Sequence, residues 1–406
     1  MTYGLAQLRT LASEYYQQSM SPVNSKRMGL HRAVNDLKMV RPVVLIDEIP
    51  FHELNFDGSL TLLCEDPILR PVEDFLRRRL FQWKYFPADM ILTPFIPVHK
   101  VILNSGMGLK VKENLLGSGG NISSHEYSDQ LSAPDDLEKI KLPVIAYDKK
   151  STMERYAKIA EAVGDIIPVK IVGQDCYTAP WDIISEYRGV TSLLIGLADD
   201  PEFSHQVVSK IYECEESRLS QMEELGLFEL NSYSIHSTAG LCSDLAKGYD
   251  GGKVKRKHVW GRGMAQIFAS VGKDMHKEFD IDYMKKLMDP FGLVYYGCCE
   301  PLDKKIDIVS QLPHLRKISI TPWADVDAAA EAIGDQYVLA NKPNPAAVAG
   351  SLDEEALKKE IGRTLAAVKR NSCSCDIVLK DISSAGNNIN NLIRWEKIVM
   401  EMVLSF

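Results

Sequence analysis

The chain reads Phe291-Gly292-Leu293-Val294-Tyr295-Tyr296-Gly297-Cys298-Cys299-Glu300-Pro301 near the start of its last third. A short apolar run that ends in glycine, two thiols and a carboxylate is typical of a buried strand. Thiolates are soft metal ligands and carboxylates are hard ones, so the segment after the strand carries both types. The sequence therefore predicts a strand whose carboxyl end delivers chemically active side chains to one point.

Helical segments and apolar strands alternate on both sides of this stretch. The predicted helices cover residues 71–84, 152–163, 201–225, 280–290 and 352–370, and the predicted strands cover 43–49, 90–96, 167–175, 229–236, 317–320, 336–340 and 375–379. Such alternation indicates a parallel sheet, either closed as a (β/α)₈ barrel or open as a doubly wound fold.

Two features favour the barrel. The chain has no early Gly-x-Gly-x-x-Gly turn, and polar residues follow one strand after another, namely Gln174 and Asp175, His236, Cys298 to Glu300, Asn341 to Asn344, and Lys380 and Asp381. In a barrel these strand ends converge on one face. We therefore expect an α/β fold of the TIM-barrel type over residues 41–406. An N-terminal helical extension over 1–40 and an inserted loop or hairpin around 104–137, which includes Gly117-Ser118-Gly119-Gly120, complete the prediction.

The composition excludes several classes of protein. A chain of 406 residues with 45% hydrophobic residues can bury a sizeable core. Its net charge of -8 argues against a nucleic-acid partner or a membrane surface bound through electrostatics. No run approaches the roughly 18 apolar residues of a membrane span, and no secretory segment follows Met1, so we expect a soluble, cytoplasmic protein. Eight cysteines are too sparse for a disulfide scaffold, so paired thiols indicate metal binding or reactivity.

The order of these features resembles the superfamily of uroporphyrinogen decarboxylase and the cobalamin-dependent methyltransferases, whose fold is a (β/α)₈ barrel. The corrinoid methyltransferases end three late strands in His-x-Cys-Gly-Asn, Gly-Asn-x-Asn-Pro and Gly-Cys-Gly. The corresponding segments here are Tyr296-Gly297-Cys298-Cys299-Glu300, Asn341-Lys342-Pro343-Asn344-Pro345 and Leu379-Lys380-Asp381-Ile382. Cys298 thus matches a metal-ligand position, Tyr296 replaces the histidine, and no cysteine stands in the third segment.

The resemblance implies a zinc site for which Cys298, Cys299 and Glu300 can supply thiolate and carboxylate ligands, completed by His236 or Glu48 from other strand ends. Neighbouring residues on a regular strand point to opposite faces, so both thiols can bind one ion only if the strand has ended. The alternative is that both cysteines are small packing residues. We assign catalytic roles to His236, Glu300 and Lys342, because transfer of a methyl group from an ether or amine requires an acid or a Lewis acid at the leaving group.

The candidate substrate-binding residues are aromatic, cationic or amide side chains near the strand ends. The segment Trp260-Gly261-Arg262-Gly263-Met264-Ala265-Gln266 predicts a loop that closes over a planar or anionic ligand through Trp260, Arg262 and Gln266. Tyr177, Tyr296 and Asn344 complete the predicted substrate site.

The resemblance implies an O-demethylase type of methyltransferase, which moves a methyl group between a small methoxylated or aromatic compound and a corrinoid protein. The cobalamin would arrive on that partner, and zinc would be the chain's own cofactor. One alternative is a decarboxylase of an aromatic or tetrapyrrole acid, with Arg262 and Lys342 holding carboxylates. Another is a non-catalytic barrel that carries a tetrapyrrole or a corrinoid.

Overall fold

The computed structural model describes residues 4–117 and 123–406. Its helices are α1 (Leu5–Ser19), α2 (Pro22–Asn35), α3 (Leu69–Tyr85), α4 (Lys149–Val163), α5 (Pro180–Arg188), α6 (Val190–Asp199), α7 (Pro201–Glu224), α8 (Lys273–His276), α9 (Asp282–Met288), α10 (Ile306–Val309), α11 (Val326–Ile333), α12 (Glu354–Arg370) and α13 (Ile389–Leu404). Its strands are β1 (Val43–Ile46), β2 (Ile96–His99), β3 (Val101–Asn104), β4 (Glu113–Gly117), β5 (Ser123–Tyr127), β6 (Ile145–Asp148), β7 (Val169–Val172), β8 (Ser234–Ile235), β9 (Thr238–Ala239), β10 (Trp260–Gly263), β11 (Leu293–Tyr296), β12 (Leu315–Ile320), β13 (Val338–Asn341) and β14 (Ser374–Leu379).

Six strands form one parallel sheet in the order β1-β14-β13-β12-β11-β10. Every residue of β1, β10, β11, β13 and β14 is buried. Burial on both faces explains why β1 and β11 are continuous apolar runs rather than alternating ones, whereas β10 carries the buried Arg262. Helices such as α11, α12 and α13 cover the sheet, and α4, α7 and α12 each begin at an aspartate that caps the first turn. The predicted α/β class is confirmed.

Strand pairing within residues 4–117 and 123–406 does not close this sheet into a barrel. The two edges nevertheless contact the chain on either side of the parallel pair β2 and β7: Asp89 N donates to Val44 O at 2.9 Å, and Thr178 N donates to Arg262 O at 3.0 Å. A closed barrel thus stays a prediction.

The strand predicted at 90–96 begins only at Ile96. Along residues 90–95, where no strand forms, the side chains of Asn24 and Tyr15 make the backbone hydrogen bonds that a neighbouring strand would make. The buried Asn24 amide donates to Leu92 O at 2.9 Å and accepts from Leu92 N at 2.8 Å, while Tyr15 Oη accepts from Thr93 N at 3.1 Å. These bonds satisfy the backbone that a sheet ladder would otherwise use.

The N-terminal helices pack on the rest of the chain. Leu8, Leu11 and Tyr15 of α1 are buried in one apolar cluster with Leu76 of α3 and Val163 of α4. The division into an extension over 1–40 and a barrel over 41–406 is untested and stays a prediction.

Two further segments concern the predicted loops. An antiparallel pair, β4 and β5, lies within the 104–137 stretch, where a loop or hairpin is expected, and Ser118 to Gly120 fall outside the described residues. The loop predicted from Trp260 is wrong for its first four residues, because Trp260 to Gly263 form the buried strand β10. None of the helices in the described ranges is both long and apolar enough to span a membrane.

Candidate active site

Chemically active side chains meet at the carboxyl edge of the parallel sheet. Cys298 follows β11, Lys342 follows β13, Lys380 follows β14 and Glu48 follows β1. The carboxyl ends of neighbouring parallel strands lie at the same edge, and open or closed α/β sheets place their ligand sites there. His236 reaches the same point from the turn between β8 and β9.

Cys298 lies at the centre of the group. Its Sγ is 3.3 Å from His236 Nε2 and 3.5 Å from Cys299 Sγ. The hydrogen bond from the Cys299 thiol lowers the pKa of Cys298, and His236 and the charge of Lys342 add to this effect against burial. The shared proton correspondingly raises the pKa of Cys299. Cys298 is therefore the thiol of this pair that ionises first.

The ring of His236 is held in its neutral form. Burial lowers its pKa to about 4, and the nearby cations of Arg262 and Lys342 oppose protonation further. Its Nε2 lies 3.5 Å from Lys380 Nζ as well as 3.3 Å from the Cys298 thiol. A neutral imidazole beside a thiolate can bind a metal ion or exchange a proton.

Two lysines supply the positive charge of the site. Lys342 Nζ donates to Cys298 O at 3.0 Å, and burial lowers its pKa. Lys380 Nζ lies 3.0 Å from Asp381 Oδ1 and 3.4 Å from Glu48 Oε1. Burial alone would lower the pKa of Lys380, but the negative charges of Cys298, Glu48 and Asp381 outweigh it and leave that pKa raised.

Several residues at this edge have left-handed backbone conformations. The φ angles are 51° at Glu48, 43° at His236, 65° at Ser237 and 57° at Asp381, and none of these residues is a glycine. Such conformations cost free energy and cluster at sites where the direction of a side chain matters. Gly297, with φ 99°, provides the corresponding turn just before Cys298.

A cavity of 480 Å³ opens above these groups and is lined by Cys298, Cys299, Trp323, Lys342, Asn344 and Lys380. The indole of Trp323 is 73% exposed at its rim. A larger depression of 840 Å³ lies elsewhere, against Pro201, His205 and Tyr283. We assign the site to the smaller cavity, because it contains the thiols and both lysines.

The donors at Cys298 fit a zinc ion in type, and two of their separations fit in length. The ligand atoms of Cys298, Cys299 and His236, however, do not all lie within 4.8 Å of one another. Two ligands of a tetrahedral zinc ion lie about 3.5–3.8 Å apart, given the usual Zn–S and Zn–N lengths. The Cys298–His236 and Cys298–Cys299 separations of 3.3 and 3.5 Å are close to this range. The Lys380 ammonium beside His236 Nε2, together with the nearby charges of Arg262 and Lys342, opposes a cation at this point.

A second group of metal-binding side chains lies away from this edge. Asp36, Cys242 and Asp244 place one ligand atom each within 4.8 Å of one another. Both carboxylates of this group already have partners in the protein, since Arg316 Nη2 lies 3.0 Å from Asp244 Oδ2 and Ser243 N donates to Asp36 Oδ1 at 2.8 Å. The Arg316 guanidinium therefore already neutralises part of the negative charge that would attract a metal cation.

Of the predicted site residues, the structure brings together Cys298, Cys299, His236, Lys342 and Asn344. Asn344 lines the cavity and also caps the turn that follows it, because its Oδ1 accepts from Ala346 N at 3.0 Å.

Three predicted residues are engaged in packing instead. The indole of Trp260 is buried and donates to Gly240 O at 2.8 Å, and Tyr296 Oη is buried between Asp280 and His276 at 2.5 and 2.7 Å. Glu300 is buried too, but its carboxylate accepts from Cys298 N at 2.9 Å and Ala265 N at 3.1 Å. We therefore place Glu300 as a positioning residue for the Cys298 backbone.

Tyr177, Arg262 and Gln266 form a second layer beside the cluster. The guanidinium carbon of Arg262 is 4.6 Å from the ring centroid of Tyr177, and that ring lies 6.2 Å from the ring of His236. Gln266 Nε2 donates to Asp182 Oδ2 at 3.0 Å.

Lys380 was among the predicted strand-end residues but was assigned no role, and Trp323 was not singled out. Lys380 directly follows the strand that ends at Leu379, which is the signal that identified Cys298, and Trp323 lies three residues after the strand that ends at Ile320. Asp182 carried no such signal, because it lies in the first turn of α5.

No family model matches the sequence, and no curated protein matches it. Among solved structures, the fold is similar to a methyltransferase from Methanosarcina mazei, with a TM-score of 0.50 and 12% identity. The superposition covers 92% of this chain and 98% of that one. At this identity the similarity shows a shared fold and no more.

Proposed function

We propose that the chain is a methyltransferase that moves a methyl group between a small methoxylated or aromatic compound and a corrinoid protein. The observation that carries the proposal is the Cys298–His236 pair, at 3.3 Å, below a cavity that two lysines also line. The name of the structural neighbour agrees with this class of reaction. We retain the closed barrel as part of the proposal, since both sheet edges contact the chain that flanks β2 and β7.

Cleavage of an aryl methyl ether leaves the electron pair of the broken carbon–oxygen bond on the oxygen. The ammonium groups of Lys342 and Lys380 can stabilise this developing negative charge or donate a proton to it. Both side chains are nearly buried, at 4% and 3% exposure, so their charges act in a medium of low polarity. Their position therefore suits a phenolate leaving group.

Zinc, if bound by Cys298 together with His236 or Cys299, would supply Lewis-acid activation of the leaving oxygen. The chain's own part is to hold the neutral imidazole and the thiolate at one point and to keep water out. The rim of the cavity is apolar, with Pro322, Trp323 and Pro343 among its lining residues, and such walls favour an organic ring over a highly charged donor.

The test uses the purified chain, a corrinoid protein reduced to its cobalt(I) form, and a panel of methoxylated aromatic compounds. We expect the cobalamin absorption spectrum to change to that of methylcobalamin with at least one donor. Failure to form methylcobalamin with every donor in the panel would reject the proposal.

A decarboxylase is the second candidate, and one observation favours it. Lys342 and Lys380 line the same cavity and could together hold a carboxylate that is to be lost. Carbon dioxide released from an aromatic acid, without any methyl transfer, would support this candidate instead.

A further inference from the structure

Arg262 is a buried cation that forms no ion pair among the described residues, although its charge reaches the Asp182 carboxyl, where burial raises the pKa and Arg262 partly lowers it. It lies in β10 with 1% exposure. Its Nε and Nη1 have no hydrogen-bond partner among the described residues, and Nη2 has only Met264 Sδ at 3.3 Å and Gly297 O at 3.4 Å. A buried charge that is neither paired nor fully hydrogen-bonded is costly, so a guanidinium kept in this state indicates a missing partner.

The surroundings of this guanidinium are aromatic. Its carbon lies 4.6 Å from the centroid of the Tyr177 ring and 5.7 Å from that of Tyr295. These cation–π contacts compensate the charge in part but leave the N–H edge unused. The buried hydroxyl of Tyr295 likewise has no partner within the described ranges, so the same region holds two kinds of unused donor.

Tyr177 covers the guanidinium from the solvent side. It is 45% exposed and lies between β7 and α5, outside any helix or strand. The next residue anchors the backbone, because Thr178 N and Oγ1 donate to Arg262 O at 3.0 and 2.8 Å. Rotation of the Tyr177 side chain alone would therefore uncover the N–H edge while the backbone stays in place.

This region adjoins the reactive thiol. Arg262 Nη2 contacts the carbonyl of Gly297, the residue before Cys298, and Met264 packs against Cys298. A ligand held at Arg262 would thus extend towards the cluster.

We propose that Arg262 binds a carboxylate of the substrate, with the substrate ring against Tyr177. The planar guanidinium matches the two oxygens of a carboxylate. A single cation among aromatic rings suits a singly charged carboxylate better than a phosphate, which carries more charge. The inference rests on the proposed function and narrows its substrate class to methoxylated aromatic acids.

The test measures the binding of benzoate and of benzamide to the full chain by calorimetry, without any corrinoid protein. The two probes share a ring and differ in charge. We expect benzoate to bind roughly ten to a hundred times more tightly than benzamide, as charged hydrogen bonds predict. In Arg262→Met this preference should disappear while benzamide binding stays unchanged. Arg262→Lys should keep part of the preference, because it retains the charge and loses the planar fork.

Tyr177→Ala is the matched variant for the ring contact, and we expect it to weaken the two probes equally. Equal binding of both probes by the parent chain, no benzoate binding, or a preference that survives in Arg262→Met would overturn the carboxylate site. If Arg262→Met does not fold, the Arg262→Lys result decides, since an undiminished preference there rejects the planar contact.

The outcome is separable from that of the methyl-transfer assay. Arg262-dependent benzoate binding without methylcobalamin formation rejects the methyltransferase and keeps the carboxylate site. If the chain transfers methyl groups but binds benzoate no more tightly than benzamide, the carboxylate site is rejected and the methyltransferase is kept.

Discussion

At the scale of single residues, burial and neighbouring charged or hydrogen-bonding groups together decide which side chains near the cavity carry a charge. Asp182 is an example outside the cluster: burial raises the pKa of its carboxyl to about 6, although the Gln266 amide that donates to it opposes the shift. The unfolded carboxyl titrates near its ordinary value of about 3.9. The folded chain therefore disfavours the charged form of Asp182, and the resulting loss of stability grows as the pH rises from about 4 to 6.

Asp182→Asn should accordingly stabilise the chain more at about pH 8 than at about pH 4.5, because only at the higher pH does the parent carry the disfavoured charge. After allowance for its partial exposure, we expect a gain of no more than about 1–2 kcal/mol at the higher pH. The midpoint of chemical denaturation at the two pH values measures it.

Asp250→Asn is the control with the opposite sign, since a hydrogen bond from Gly252 N lowers the pKa of Asp250 and stabilises its charged form. A gain for Asp182→Asn that is equal at both pH values would contradict the account.

Several residues that were predicted because they follow strands lie close together in the structure, while their roles stay predictions. His236, Cys298 and Lys342 were predicted for this reason, and the structure places them together. Trp260 and Tyr296 were predicted from their chemistry, and both side chains are instead buried and hydrogen-bonded within the core, away from the cavity. The direction of a strand side chain depends on which face meets the helices, and residue type alone does not reveal it.

At the scale of elements, β10 shows why glycines flank Arg262. A Cβ on Gly261 would lie 2.7 Å from Phe291 Cγ and 2.8 Å from Met288 Sδ, at the end of α9. The glycine therefore lets that part of the chain pack closely on the strand. The sequence suggested a flexible loop here because two glycines in four residues normally indicate one.

Gly261→Ala should destabilise the chain by about 1–3 kcal/mol, the usual effect of overpacking a core. Gly29→Ala is the matched control, because Gly29 lies in α2 with no heavy atom within 4 Å of an added Cβ. We expect this control to stabilise the chain by roughly 0.5–1 kcal/mol through helix propensity. If the denaturation midpoints of both variants shifted in the same direction relative to the parent, the close packing of β10 would be contradicted.

At the scale of the whole molecule, helix α1 packs in one apolar cluster with helices α3 and α4. The alternation of helices and strands was enough to predict the α/β class and most of the sheet. It did not predict the interruption at 90–95, because the buried side chain of Asn24 that replaces the strand lies far away in sequence. Closure of the barrel depends on such long-range contacts.

Leu8→Ala tests how closely α1 is coupled to the rest. Leu8 is fully buried with residues of α3 and α4, so truncation should cost about 2–5 kcal/mol. Thr10→Ala, on the exposed face of α1, should change stability by less than about 0.5 kcal/mol. We expect Leu8→Ala to shift one common unfolding transition, followed by tryptophan fluorescence. A main transition that does not move would show that residues 1–40 unfold independently.

The whole account depends on Cys298 as the centre of a methyl-transfer site. The most direct test compares the initial rate of methylcobalamin formation for the parent, Cys298→Ala and Cys214→Ala, where Cys214 is a buried thiol on α7. We predict a rate at least about a hundredfold lower for Cys298→Ala, as for the loss of an activating group, and a rate near that of the parent for Cys214→Ala. A Cys298→Ala variant that transfers methyl groups as fast as the parent would contradict the account.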